Sequence, residues 1–229
     1  MSSLPIGYSQ LEYIESTGVE YIDSGFVPTL NTRIIFDGRI SSMDPEIFAL
    51  FGARDTASGG AMIVWSINGK YRIDVSKSST NTTSQVVSVG DVYIDMMLGD
   101  ITINGNHYNF SANVASRNTI GVFALKDTGT SSTDSNGFDT RRLIGRVNKF
   151  VIYDNEKIVR YMIPCKNENG EVGLYDVVGS KFYGNISGNG AFIAGPEKDG
   201  EIYIYTTKKE IKLLTSGKYC DKNIVVVLA

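Results

Sequence analysis

Apolar and polar residues alternate along much of this chain with a period of two. In residues 32–40, Thr32, Ile34, Phe36, Gly38 and Ile40 fall on one side, and Arg33, Ile35, Asp37 and Arg39 on the other. Tyr71, Ile73 and Val75 alternate with Arg72 and Asp74, and Val92, Ile94, Met96 and Leu98 alternate with Tyr93, Asp95, Met97 and Gly99. Val159, Tyr161 and Ile163 alternate with Arg160 and Met162. A strand sends successive side chains to opposite faces, so this rhythm predicts sheets with one packed and one wetter face, as antiparallel strands allow.

Turn residues punctuate the rhythm. Asn68-Gly69 separates 61–67 from 71–75, and Asn104-Gly105 separates 100–103 from 107–110. Both dipeptides suit the left-handed dihedrals of a two-residue hairpin. Further hairpins are expected at Asp154-Asn155, Asn169-Gly170 and Gly179-Ser180. Many short strands with such turns, and no capped stretch of helical period, predict an all-β fold. Its expected form is a two-sheet antiparallel jelly-roll sandwich.

Two polar stretches, 76–85 and 127–142, lack apolar periodicity and are expected to be loops. Gly, Pro and charges cluster at 194–200, which places a boundary there: a sandwich over 1–196 and a small β module over 197–229. Strands are expected in that module at 201–207, 210–214 and 224–228. About thirty residues cannot bury enough surface to fold alone, so the module is expected to dock on the sandwich or on a neighbouring copy.

Composition narrows the function classes. An apolar share of 42% with 21% charged residues suits a globular chain rather than a disordered one. The net charge is −3, and no basic run exceeds a pair, which argues against nucleic acid as a partner. No apolar run is long enough to span a bilayer, and no signal peptide is visible at the N-terminus. The two cysteines, Cys165 and Cys220, and the single histidine, His107, make no metal-ligand pattern. Free thiols are expected at both cysteines, although a disulfide is geometrically open to them. No cofactor is expected.

Three stretches carry a resemblance. Residues 11–25 (LEYIESTGVEYIDSG), 143–154 (LIGRVNKFVIYD) and 159–196 (VRYMIPCKNENGEVGLYDVVGSKFYGNISGNGAFIAGP) together resemble concanavalin A-like (laminin-G-like) lectin/glucanase domains of phage and prophage structural or tail proteins. The resemblance covers about residues 8–196. Residues 211–227 (IKLLTSGKYCDKNIVVV) are similar to short β modules appended in the same phage proteins. The resemblance implies a virion component, a capsid decoration or tail or baseplate part, assembled in the bacterial cytoplasm. Its implied partners are other virion proteins, sister subunits and cell-surface glycan.

Glucanases of this architecture carry acidic residues at alternate positions of one strand, where they act as nucleophile and general acid. The nearest approach here is 91–100 (DVYIDMMLGD), with Asp91, Asp95 and Asp100; the spacing is too wide, so no catalytic residue is expected. Sugar binding is the better candidate chemistry, because sugar C–H faces stack on aromatic rings and hydroxyls need hydrogen bonds. Trp65, the sole tryptophan, with Asn68, Tyr71 and Arg72 across the hairpin, is the candidate platform, and Arg54 and Asp55 are either its rim or a solvated turn. The competing reading puts Trp65 in the core. Asp127, Asp134, Asn136 and Asp139 offer oxygens for Ca²⁺, but without EF-hand spacing, and a flexible polar loop is the simpler expectation. Purely architectural service without sugar binding, or glycoside hydrolysis, remain the alternatives.

Overall fold

The structure is a computed structural model that describes residues 4–76, 79–112, 115–128, 132–198, 202–206 and 224–228. Among the described residues every regular element is a strand. Numbered in chain order, the first sheet contains β1 (Ser9–Gln10), β2 (Ile14–Thr17), β4 (Thr32–Ile40), β9 (Gly90–Met97), β10 (Asp100–Ile103) and β11 (Asn106–Asn109). It continues with β14 (Ile144–Asp154), β15 (Lys157–Lys166), β16 (Val172–Asp176), β17 (Lys181–Tyr183) and β18 (Ile193–Ala194). Its main path runs β11-β10-β9-β4-β14-β15-β16-β17, antiparallel throughout.

The second sheet contains β3 (Ile22–Asp23), β5 (Phe48–Asp55), β6 (Gly60–Ile67), β7 (Lys70–Ser76), β8 (Ser79–Val86), β12 (Gly121–Val122) and β13 (Leu125–Thr128). Its order is β3-β12-β5-β6-β7-β8, with β13 added to β5. The fold is the expected two-sheet antiparallel sandwich, with one local departure: β13 pairs β5 in parallel.

The inner faces meet through the alternating residues. Ile34, Phe36 and Ile40 on β4, Ile94 and Met96 on β9, and Phe150 and Ile152 on β14 are fully buried. From the second sheet come Phe51, Met62, Val64, Tyr71 and Ile73, all part of the same core. Phe36 stacks on Phe51 with centroids 5.7 Å apart, and both meet Phe150 edge-on. Gly38 fits this layer because a Cβ there would lie 2.2 Å from the Arg146 carbonyl.

The hairpins follow the turn chemistry. Asn68 and Gly69 have φ of 51° and 67°, and Asn104 and Gly105 have 48° and 81°. The turn between β14 and β15 sits one residue later than expected, at Asn155 and Glu156 (φ 48° and 64°). Residues 76–85 depart further from expectation, since β8 runs through most of them. An edge strand needs backbone pairing on one side only and few inward apolar groups. Thr83 supplies the inward position, 4% exposed, donating its hydroxyl to the Tyr71 carbonyl at 3.1 Å.

Beyond the sandwich, β19 (Ile202–Thr206) and β20 (Ile224–Leu228) pair in parallel as a separate two-stranded sheet. The strand expected at 210–214 lies outside the described residues, as does Cys220. Cys165 is free and fully buried, and burial pushes its thiol pKa up to about 12.

Phe51→Ala should test the aromatic seam, since emptying a buried Phe site costs about 3–5 kcal/mol. Chemical denaturation followed by circular dichroism reads it; a loss below about 1 kcal/mol would mean that the seam does not set stability.

Candidate functional site

The six residues expected to form a sugar platform are dispersed by the fold. Tyr71 points inward and is 2% exposed, with burial raising its hydroxyl pKa to about 12. Its β7 neighbour Arg72 sits on the opposite face, because adjacent strand residues alternate. Asn68 is at the hairpin tip, exposed. Asp55 ends β5 and accepts the Ala57 backbone N–H at 3.0 Å, serving a turn.

Trp65 and Arg54 do come together, with Arg72, on the outer face of the second sheet. The indole is 2% exposed and packs with Ala49, Ala61, Ile63 and Leu125 in a cluster separate from the main core. Its N–H donates to Asp74 Oδ2 at 3.1 Å, and Arg72 Nε pairs the same carboxylate at 2.9 Å. The guanidinium of Arg54 stands 5.5 Å from the ring centroid and that of Arg141 5.2 Å. Cation–π contacts of this kind hold the ring in place, so Trp65 is enclosed and its faces are covered.

The described parts of the stretch, 127–128 and 132–142, are built into the molecule, unlike the flexible loop expected from its composition. Asp127 and Asp139 are fully buried, as is Phe138. Asp127 pairs Arg54, Asp139 pairs Arg141 at 2.5 Å, and Asp134 pairs Arg142 at 2.6 Å. Tyr21 donates its hydroxyl to Asp134 at 2.5 Å, and Asn136 Nδ2 donates to that hydroxyl oxygen at 3.0 Å. The carboxylates that could have offered oxygens to Ca²⁺ therefore face separate arginines instead of converging. Among the described residues no group of acids, histidines and cysteines is arranged to hold a metal ion.

An open site lies elsewhere, on the outer face of the first sheet. Part of that face is covered: Leu4 and Tyr8 pack with Ile163, Cys165, Tyr175 and Val177. Another part, across β10, β9, β4 and β14, holds a depression of about 510 Å³ lined by Asn31, Arg33, Asp95, Met97, Asp100, Thr102, Tyr153 and Glu156. Register explains the grouping. Arg33 is opposite both Met97 and Tyr153, while Asp95 is opposite Thr102.

Arg33 grips Asp95 with two bonds, Nε at 2.7 Å and a terminal nitrogen at 2.5 Å. The bonds to Asp95 raise the already high pKa of Arg33. Arg33 also lies 5.3 Å from the Tyr153 centroid. A guanidinium has five N–H donors, so this fixed, planar head keeps donors for a ligand. Met97 (45% exposed) and Tyr93 (42%) add apolar surface on the same strand. Glu156 projects from the rim with φ of 64°, a conformation that glycine adopts with less strain.

The acids of 91–100 are all engaged by bases: Asp91 by Arg39 at 2.9 Å, Asp95 by Arg33, and Asp100 by His107 Nε2 at 2.7 Å. Of the open depression, only Asp95 and Asp100 drew notice in the sequence, where their spacing set them aside as a hydrolytic pair. The signal for the rest was the polar phase of the strand alternation, which becomes a site only once register sets Arg33 beside Tyr153.

No family model and no curated protein matches the chain. Among solved structures 27 chains match. One is the mouse laminin alpha1 chain, domains LG4-5, at a TM-score of 0.41 and 6% identity, covering 68% of this chain and 43% of that one. This chain thus spans less than half the length of that neighbour.

Trp65 is a ready optical reporter, being the only tryptophan. Its emission should be blue-shifted and poorly quenched by iodide, and should not change when sugars are added at saturating concentration. Strong quenching, or a sugar-dependent shift, would show that the Arg54 and Arg141 cover opens. A second prediction concerns acid. Burial pushes the Asp134 pKa up, but hydrogen bonds from Tyr21, Phe138 and Asn136 and the charge of Arg142 leave it below the usual carboxylate value. A depressed folded pKa contributes stability that is present above the unfolded value, about 3.9, and is lost as pH falls through the folded one. Asp134→Asn should therefore flatten the fall in melting temperature below about pH 4; an unchanged acid limb would contradict it.

Proposed function

We propose that this chain is a non-enzymatic sandwich module of a bacteriophage particle, and that the open face of its first sheet engages cell-surface glycan. The particle setting is supported by the sequence stretches 11–25, 143–154 and 159–196 and by the similarity of 211–227 to phage β modules. Glycan engagement is supported chiefly by one observation, the depression in which the Arg33–Asp95 fork, Tyr153, Met97 and Thr102 converge. Fixed planar donors and acceptors beside apolar surface suit a ligand that is both hydroxylated and C–H rich. The absence of turnover is supported by the engagement of Asp91, Asp95 and Asp100 by basic partners, which leaves no carboxyl pair poised across a bond.

A second service, assembly, is favoured by the parallel pair β19 and β20. Two strands are marginal alone and are expected to dock on the sandwich or on another particle subunit. In this reading the protein resides in the virion after assembly in the host cytoplasm, with particle proteins and surface glycan as partners.

Binding to immobilised host-surface polysaccharide tests the reading. Saturable binding is expected, weakened about tenfold or more by Arg33→Ala. The Arg33–Asp95 pair is partly exposed, so its loss should leave melting nearly unchanged. Binding that ignores Arg33 would take the site off this face, and no binding by protein that is found in purified particles would leave only the architectural role.

A further inference from the structure

Outward residues of β4 continue beyond the Arg33 depression. A second depression, of about 440 Å³, is lined by Glu12, Tyr13, Asp37, Arg39, Asp91, Arg146, Asn148 and Lys198. Arg33, Ile35, Asp37 and Arg39 share one face of β4, because strand side chains repeat every second residue. Six residues of strand separate Arg33 from Arg39, or about 20 Å. Between them Tyr93, opposite Asp37, is exposed to 42%. At the far side of the first depression a third, of about 360 Å³, shares Asn31, Met97 and Glu156 with it.

We propose that these depressions are stations on a single track along β4 and β9, and that its ligand is a linear polysaccharide with an uncharged repeat. This rests on the reading that the face binds glycan, and adds the length and charge class of the ligand. Length comes from the spacing: about 20 Å is several sugar rings, so a single ring can reach one station only. The first two stations have the same build, and the third extends the first without it. Each of the two has an arginine held by an aspartate of β9, Arg33 by Asp95 and Arg39 by Asp91, and each adds an aromatic ring faced by a guanidinium. At the first the ring is Tyr153, under Arg33, and at the second it is Tyr13, with Arg146 4.1 Å from its centroid.

Charge class comes from the lining. Asp95, Asp100 and Glu156 at the first station and Glu12, Asp37 and Asp91 at the second are set against Arg33, Arg39, Arg146 and Lys198. Carboxylates outnumber basic groups, and each arginine already has a carboxylate partner. An anionic polymer would be repelled by this surface and would have to displace those partners. Hydroxyl groups need displace nothing, because a guanidinium with one carboxylate partner keeps unused N–H donors.

The test is a fragment series. The full chain is titrated calorimetrically with graded oligomers of neutral glucan, mannan and galactan, from disaccharide to decasaccharide, and with hyaluronan and poly(glycerol phosphate) as anionic probes. Affinity for one neutral series should climb at least about tenfold with length and then level off, since a second contact on the same chain acts at high effective concentration. It should change little between low and high salt. Arg33→Ala and Arg39→Ala should each weaken the long oligomer about tenfold and bring it down to the affinity of the short one. Melting curves of both variants should stay close to that of the parent, because both pairs are at the surface.

Saturable binding with no length dependence, or indifference to Arg39→Ala, would overturn the track while leaving glycan binding intact. Tighter, salt-sensitive binding of either anionic probe would overturn the charge class. Silence across every series would remove the glycan reading itself and the track with it.

Discussion

The seam between the two sheets, where Phe36, Phe51 and Phe150 meet, is the contact from which the rest follows. Burying one face of each sheet fixes which residues point outward, because a strand offers only two directions. Two outer faces then remain, and the chain treats them differently. Part of the first sheet is covered by Leu4 and Tyr8 from the N-terminal segment. The second sheet is covered around Trp65 by Arg54 and Arg141, with Arg72 joined to it through Asp74. What remains wet is the strip over β9 and β4, and there the depressions lie.

Charge pairing divides along the same line. Asp127, Asp139 and Asp176 are fully buried, and a buried carboxylate without a partner is strongly destabilising. Arg54 and Arg141 supply partners for the first two; Asp176 takes backbone N–H bonds from Tyr161 and Val178, with Arg160 at 3.6 Å. These arginines are committed to holding the fold. Arg33 and Arg39, paired at the surface, are under no such obligation, since exposed pairs contribute little to stability. Arginines of the second kind can be given to a ligand without endangering the sandwich.

That distinction explains how much could be read from the chain alone. Strands such as β4 and β10 were legible to the residue, because a half-buried strand writes its two faces into alternate positions. The Asn-Gly hairpins were legible for the dihedral angles they require. The outward environment of Trp65 was not, because alternation says that a residue leaves one face and is silent on what covers the other. Nor could composition show that Asp127 and Asp139 are interior: Asp127 pairs Arg54, which is remote in sequence, Asp139 pairs Arg141 two residues on, and both acids read as ordinary polar loop. The strand β8 was hidden because an edge strand of threonines carries little apolar signal. The open depression draws on β4, β9, β10 and the β14–β15 turn, so it exists only through register.

The rim of that depression includes an unusual backbone position. The β14–β15 reversal uses left-handed dihedrals at two consecutive residues, as the other tight hairpins do, but its second position is Glu156 where those have Gly69 and Gly105. A glutamate there carries a local conformational cost of roughly 1 kcal/mol relative to glycine. The turn itself gains nothing from the longer side chain, since reversal needs only the dihedral angles. What the side chain does reach is the rim shared by two depressions, beside Asn31 and Met97. Fold stability alone would favour glycine at this position, so the carboxylate is best understood as part of the surface that the sandwich presents.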